Sequence, residues 1–235
     1  MTAAHTNFDS SAPTGEGSHR RDLLITAGPT HEPIDQVRYL GNRSSGRLGI
    51  ALSEAAIARG WSTTLLLGPT HLPAPDDSRL RVRRFRTTAD LRNLLHEEWP
   101  AHRTLIMAAA VADYRPTDGR MDGKMSRGTE SIQLNLEPTP DLLSELAATR
   151  QPDQYVVGFA LEPRAHLDGN ARGKLARKHL DAIVANPLET MEAESIAGRI
   201  YFKDGSSHAP DQRLTKSQFA AWLLDRLAEP ITARP

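Results

Sequence analysis

The chain has 235 residues, enough for one large domain or two small ones with a substantial core. Lysine plus arginine equals aspartate plus glutamate at 29 each, so overall charge argues for neither nucleic acid nor a membrane surface. Cysteine is absent, which excludes disulfides, thiol catalysis and cysteine-ligated metal, and no apolar run approaches membrane-spanning length.

Residues 1–20 lack the apolar core of a signal peptide and are rich in Ser, Thr, Gly and Pro, which predicts a disordered tail and a cytoplasmic protein. Residues 23–27, LLITA, carry no polar alternation beyond Thr26 and read as a strand buried on both faces. The run ends in Gly28. A polar loop follows, and then Leu48, Ala51, Leu52, Ala55 and Ala58 recur at helical spacing over residues 45–59. Ser44 and Ser45 stand where that helix begins, and either can cap it. A helix start there offers unpaired N–H groups and a positive dipole end to an anion such as phosphate. Gly46 and Gly49 let a ligand or a neighbouring strand come close. Local chemistry leaves two readings open: an anion site, and a tightly packed strand-to-helix turn. The common fingerprints are missing. No G-x-G-x-x-G follows the strand, and GNRSSG spaces its glycines wrongly for a serine-hydrolase elbow. The string GRMDGKMS at 119–126 is one residue short of a P-loop, with Met125 where Ser or Thr would hold magnesium.

Further strands are predicted at residues 62–67, 81–86, 104–109, 155–160 and 181–185, with helices at 88–98, 139–149 and 162–179. The stretch RVRRFR at 81–86 is basic, but its alternation with Val82 and Phe85 fits an edge strand better than a nucleic-acid patch. Residues 113–137 break the rhythm. They read as a polar, glycine-containing loop and one excursion strand alternating Ile132, Leu134 and Leu136, together a flap over the site. A hairpin of 200–202 with 212–214 and a last helix at 216–227, packing Phe219, Trp222 and Leu223, complete the order. The alternation predicts an α/β protein: a Rossmann-like three-layer αβα fold, its sheet mostly parallel, with ligands at the C-terminal strand ends. It would be a single domain of residues 21–229 followed by a C-terminal tail at 230–235. The nine histidines are scattered and none completes a zinc-binding pair, so no protein metal site is expected.

Several of these strand ends carry strings that resemble one family when taken together. ITAGPTHEPIDQVRYLGNRSSGRLG, AAAVADYRP, the GKM around Lys124, PTPDLL, VVGFALE and KLARKHLDAIVAN follow one another in the order found in phosphopantothenoylcysteine synthetase. The resemblance covers residues 21 to about 227. It implies a ligase of coenzyme A biosynthesis that joins 4′-phosphopantothenate to L-cysteine. In this family a nucleoside triphosphate (CTP in bacterial members, ATP in animal ones) activates the pantothenate carboxylate with loss of pyrophosphate, and the cysteine amine displaces the nucleoside monophosphate. The motifs favour CTP here. The resemblance also implies Mg2+ with the triphosphate, a homodimer to which the excursion strand contributes, and a stand-alone synthetase whose flavin-dependent decarboxylase is a separate protein. It implies no nucleic acid and no membrane.

The resemblance gives Asn42 and Lys124 roles in the chemistry: Asn42 as a donor at the acyl intermediate, Lys124 as the flap cation at the α-phosphate. For 4′-phosphopantothenate it implicates Gly28, Arg38, Asn42, Ser44, Ser45 and Gly46. For the nucleotide it implicates Ala108, Ala109, Asp113, Lys124, Pro140, Asp141, Phe159, Lys174 and Lys178. Each has a structural alternative. Asn42 could simply form a turn, the serines could cap the helix, Asp113 could cap a turn, and Phe159 could be core. Lys174 and Lys178, four apart on one helix face, could be solvated, and Asn186 reads as fixing a loop. There are two departures from the family. AGPT replaces the common AGGT, so Pro29 offers no N–H, and Met125-Ser126-Arg127 follows Lys124 where further lysines are usual, with Arg127 as a substitute cation. The competing classes are an NAD(P)-dependent Rossmann-like reductase and a non-catalytic nucleotide-binding homologue.

Overall fold

The computed structural model describes residues 23–190 and 193–233, so the tail expected at residues 1–20 lies outside the described residues. The chain first forms β1 (Leu23–Ala27), β2 (His31–Pro33), β3 (Tyr39–Gly41), α1 (Arg47–Ala58), β4 (Thr63–Leu67), β5 (Leu80–Arg84), α2 (Thr88–Glu98) and β6 (Thr104–Met107). It continues through β7 (Tyr114–Pro116), β8 (Leu136–Pro138), α3 (Leu142–Ala148), β9 (Tyr155–Glu162), α4 (Leu167–Arg177) and β10 (Ala182–Pro187). It ends with β11 (Ser195–Ile196), β12 (Arg199–Phe202), β13 (Ser207–His208), β14 (Leu214–Thr215) and α5 (Lys216–Thr232).

Eight of these strands make one sheet in the order β13-β12-β10-β9-β6-β1-β4-β5. The six from β10 to β5 are parallel neighbours, in the arrangement of a dinucleotide-type fold, and β12 and β13 extend the sheet antiparallel beyond β10. β1 has a parallel partner on each side, Leu23 pairing with both Thr63 and Thr104, and every one of its residues is buried. Alternation splits its side chains between two cores. Leu23, Ile25 and Ala27 pack with Ile50 and Leu52 of α1 and with Phe219, Leu223 and Leu227 of α5. Leu24 packs on the other face with Leu91 and Leu95 of α2, Leu142 and Leu146 of α3, and Leu175 of α4. The expected three layers are present.

Local chemistry explains where the elements start and stop. Reciprocal capping boxes, Thr87 with Asp90 and Thr215 with Gln218, open α2 and α5. α1 differs from expectation. Its N-cap is Gly46 in a left-handed conformation (φ 74°), with no side-chain cap. Ser44 Oγ and Ser45 Oγ accept only long local contacts of 3.4 Å, from the amides of Gly46 and Arg47. β9 runs on to Glu162 because Pro163 holds its predecessor extended, which delays α4 to Leu167. α5 outlasts its expected end and continues across Pro230 to Thr232, where Ile231 still packs on the core, so part of the anticipated C-terminal tail is helix.

The predicted hairpin of 200–202 with 212–214 is not formed. β12 turns back on β13, and β14 pairs with β11. The excursion strand is shorter than read: β8 covers Leu136–Pro138 and pairs antiparallel with β7, an element absent from the sequence reading, as were β2 and β3. The basic stretch does form the sheet edge as β5, where Arg81 and Arg83 reach Glu98 at 3.2 and 2.6 Å.

Two helical glycines have opposite consequences. A Cβ on Gly49 would stand 2.3 Å from Ala27 Cβ, whereas one on Gly173 would meet nothing within 4 Å. Gly49→Ala should therefore destabilise by roughly 1–3 kcal/mol, overpacking outweighing a helix-propensity gain of at most about 1 kcal/mol. Gly173→Ala should stabilise by about 0.5–1 kcal/mol. Urea unfolding of both variants checks the two signs together.

Candidate active site at the sheet switch point

The chain adds β4 and β5 on one side of β1 and β6, β9 and β10 on the other, so the loops leaving the C-terminal ends of β1 and β6 part and leave a crevice. Two adjoining cavities, of about 370 and 290 Å³, occupy it and share a wall of Ala109, Val111, Asp113 and Phe159. Open hollows of about 500 and 570 Å³ exist elsewhere, so it is position, not volume, that marks this place.

The first cavity lies over the start of α1. Ser44, Ser45, Gly46, Arg47 and Gly49 line it, with Asn42, Ala108, Ala110, Asn186, Thr190 and Lys216 around them. With no side-chain cap, the first-turn amides of α1 are the groups an anion would meet. Arg47 and Lys216 bring positive charge, and burial pushes the Lys216 ammonium below its ordinary pKa, helped by the neighbouring Arg47. Asn186 Oδ1 is buried in this wall without a hydrogen-bond partner.

The second cavity is lined by Thr139, Pro140, Asp141, Leu142, Lys174 and Lys178 beyond the shared wall. Both lysines are already engaged. Lys174 Nζ pairs with Glu162 Oε1, and Lys178 Nζ donates to Asp141 Oδ1 at 2.9 Å. Asp141 also caps α3, accepting from Ser144 N at 3.2 Å. Burial opposes ionisation of Asp141 and of Glu162. Lys178 with Ser144, and Lys174 with Asn170, outweigh it and hold both carboxyls below their ordinary values.

The shared wall is fixed by side chains from the first half of the chain. Thr26 Oγ1 accepts from Ala109 N at 3.0 Å, and Thr30 Oγ1 accepts from Ala112 N at 2.9 Å. Thr30 meets Thr88, whose amide and hydroxyl both donate to the buried Glu32 carboxylate at 2.7 Å at the start of α2. Asn42 Nδ2 donates to Ala110 O and Val111 O, both at 3.1 Å, so its two amide hydrogens are committed to the wall.

The crevice thus brings together Asn42, Ser44, Ser45, Gly46, Ala108, Ala109 and Phe159 with Asp113, Pro140, Asp141, Lys174 and Lys178. Gly28, Arg38 and Lys124 line neither cavity. Gly28 (φ 84°) lies beneath, its backbone so near Gly68 that an added Cβ would sit at 3.2 Å. Pro29 also lines neither cavity; it bridges to Ala110, so its missing N–H is not taken from either lining. Arg38 and Lys124 belong to a hairpin and a flap that bind each other. Sequence reading passed over Arg47, Glu162 and Lys216. Only Arg47, beside the Ser-Ser-Gly turn, had a local signal; Glu162 and Lys216 reach the site through the fold.

Comparisons with known proteins bear on most of the chain. A family model described as the DNA/pantothenate metabolism flavoprotein C-terminal domain matches residues 18–231. A cysteine/cysteine sulfinic acid decarboxylase from an unknown prokaryotic organism is 40% identical over 210 residues, 88% of this chain and 58% of that protein. The coenzyme A biosynthesis bifunctional protein CoaBC of Vibrio cholerae serotype O1 is 37% identical over 194 residues, 80% of this chain and 48% of that protein. The crystal structure of the C-terminal domain of coenzyme A biosynthesis bifunctional protein CoaBC aligns with a TM-score of 0.76 at 31% identity, covering 90% of this chain and 96% of that one. The chain spans about half the length of the curated relatives it matches.

The lysine–carboxylate pairs give the site an acid-sensitive component. Because both carboxyls titrate lower in the folded protein, the stability they add is complete above their ordinary pKa values and is lost as pH falls through the lowered ones. Replacing Lys174 and Lys178 together by Met should cost about 0.5–1 kcal/mol at neutral pH, a small figure because these groups are partly exposed. The difference from wild type should vanish in strong acid. Urea midpoints measured across the acid range check it.

Proposed function

The chain belongs to the DNA/pantothenate metabolism flavoprotein C-terminal domain family, and from that premise we propose that it is a phosphopantothenate–cysteine ligase. The supporting observation is two adjoining cavities, one at a helix N-terminus and one holding two lysines, that meet at a single wall. Two anionic substrates bound in them would bring their reactive ends together beside residues 109–113.

In this reading the phosphate of 4′-phosphopantothenate lies at Ser44, Ser45 and Gly46, with Arg47 and Lys216 as cations nearby. The triphosphate lies in the second cavity, where Lys174 and Lys178 exchange Glu162 and Asp141 for phosphate oxygens. The pantothenate carboxylate attacks the α-phosphorus, and the bond to the β-phosphate oxygen breaks to release pyrophosphate. The cysteine amine then attacks the acyl carbon and loses its proton, and the nucleoside monophosphate leaves with a former carboxylate oxygen. Asn42 holds the wall against which this charge develops, and Lys124, carried in by the flap, offsets it.

CTP is the proposed triphosphate, with ATP as the alternative. Mg2+ would arrive on it: Asp113 is the carboxylate on the shared wall, and among the described residues no group of three His, Cys, Asp or Glu side chains forms a metal cage. A flavin-dependent decarboxylase would take the product onward, in the cytoplasm. Among the described residues no helix is long and apolar enough to cross a membrane. Of the relatives, the CoaBC domain structure is the better guide, since the chain covers 96% of it but only 58% of the decarboxylase-named protein. A dinucleotide reductase fits less well. Gly68, which stands at the end of β4 where an acidic ribose ligand would be, is packed tightly against Pro29 and Phe85.

The proposal includes a homodimer. Val37, Tyr39, Tyr114, Met121, Ile132, Leu134 and Leu136, all on the β2–β3 hairpin and the β7–β8 excursion, are exposed, and a second copy of the chain would cover them. Sedimentation velocity should show a dimer that Ile132→Glu with Leu134→Glu converts to a monomer; a wild-type monomer would remove this part of the reading.

Pyrophosphate release tests the function. It should require 4′-phosphopantothenate and run faster with CTP than with ATP. Lys174→Met should raise the triphosphate KM by about tenfold or more while leaving the phosphopantothenate KM within about twofold, the signature of binding lost at one substrate only. No release with either triphosphate, from folded protein, would overturn the reading.

A further inference from the structure

The flap between β7 and β8 is tied by its first arm to the turn of the β2–β3 hairpin. Met121 N donates to Ile34 O at 3.0 Å, and Gln36 N donates to Gly123 O at 3.2 Å. Asp35, whose side chain is fully buried, is the centre of the junction. Its Oδ1 accepts from Val37 N at 2.7 Å and from Arg38 N at 2.6 Å. Its Oδ2 accepts from Met125 N at 3.1 Å and pairs with the Arg38 guanidinium. That guanidinium reaches onward, both terminal nitrogens lying 3.3 Å from Met125 O.

The division of labour between the two oxygens is what matters. One oxygen suffices for the local turn, since an Asx turn needs only an acceptor for the amides that follow. The second oxygen serves a residue ninety positions downstream. Met125 is consequently held at both its N–H and its C=O, and Gly123 is held at its carbonyl. Lys124 is thus the one residue between two anchored neighbours. Hydrogen bonds with a charged partner are stronger than neutral ones, so the bonds of Met125 to Asp35 at 3.1 Å and to Arg38 at 3.3 Å, both of which depend on Asp35, should dominate this arm.

We propose that Asp35 is a positioning residue: it clasps the flap at Met125, directly and through Arg38, and so sets where Lys124 stands. The clasp rests on the geometry alone, and only the consequence for turnover rests on the ligase reading. The local turn and the clasp can be separated experimentally. In Asp35→Asn an amide oxygen can still close the turn, while an NH2 group replaces the acceptor offered to Met125 N and Arg38.

Asp35→Asn should melt below wild type but by less than Asp35→Ala, and be cut by trypsin after Lys124 about tenfold faster, because cleavage follows local opening of the segment. Its kcat for pyrophosphate release should fall by about tenfold with the triphosphate KM within about twofold, since Lys174 and Lys178 are untouched. Asp35→Ala, which removes the turn as well, should melt earlier still. Unchanged cleavage in Asp35→Asn would overturn the clasp, and faster cleavage with unchanged kcat would overturn the positioning role. If wild-type protein shows no turnover, the ligase reading fails and the cleavage rate still decides the clasp. Should Asp35→Asn not fold, amide exchange in the wild type decides it: Met125 should exchange about tenfold more slowly than Gly128 and Glu130 on the same flap, and equal rates would overturn the clasp.

Discussion

The approach of α1 to β1 is the constraint on which the site depends. No side chain fits at Gly49, where a Cβ would stand 2.3 Å from Ala27 Cβ, and an added Cβ at Gly46 would lie 3.2 Å from the backbone of Gly28. This close seating sets the start of α1 directly over the end of the central strand. Gly46 makes the turn in a left-handed conformation that a side chain would strain. The helix therefore begins without a side-chain cap, its first amides meeting serine oxygens only at a long 3.4 Å beside the cavity. Close packing, one of two competing readings of the sequence, is what the structure shows, and it leaves the cavity over the start of α1 that the proposed anion site would use.

A second set of contacts gives the cavities their common wall. Thr26, Thr30 and Asn42 hold the segment after β6 by its backbone, and Glu32 with Thr88 anchors Thr30 in turn. All of these groups come from β1, the hairpin and the start of α2, so the wall takes its shape from chain that precedes it. Buried polar groups of this kind add modest net stability but are expensive to leave unsatisfied, which makes the wall specific in shape. Asn42 shows what this means for chemistry. Its amide hydrogens face two carbonyls, so a carboxylate in its place would repel both and disturb the wall along with any intermediate.

Much of the fold was legible in the sequence. The unbroken apolar run of β1 and the helical pattern over residues 88–98 gave boundaries that agree with the structure. Partner choice was not legible. The strand pattern around residues 200–214 permits several pairings, and only three-dimensional packing selects β12 with β13 and β14 with β11. In the site, Lys174 and Lys178 could be placed on one helix face, but their engagement by Glu162 and Asp141 depends on strand and loop positions that no local signal encodes. Asp35 was invisible for a different reason. An aspartate in a turn satisfies the local chemistry with one oxygen, and nothing nearby in the chain announces what the other one holds.

The central claim is that the two cavities join a carboxylate to a nucleotide across their shared wall, and isotope transfer tests it most directly. 4′-Phosphopantothenate labelled with heavy oxygen in its carboxylate would be turned over with cysteine and CTP, and the products weighed by mass spectrometry. The account predicts one labelled oxygen in the nucleoside monophosphate, carried there when the amine displaces it from the acyl carbon. Label in inorganic phosphate, or an unlabelled nucleoside monophosphate alongside product, would contradict it.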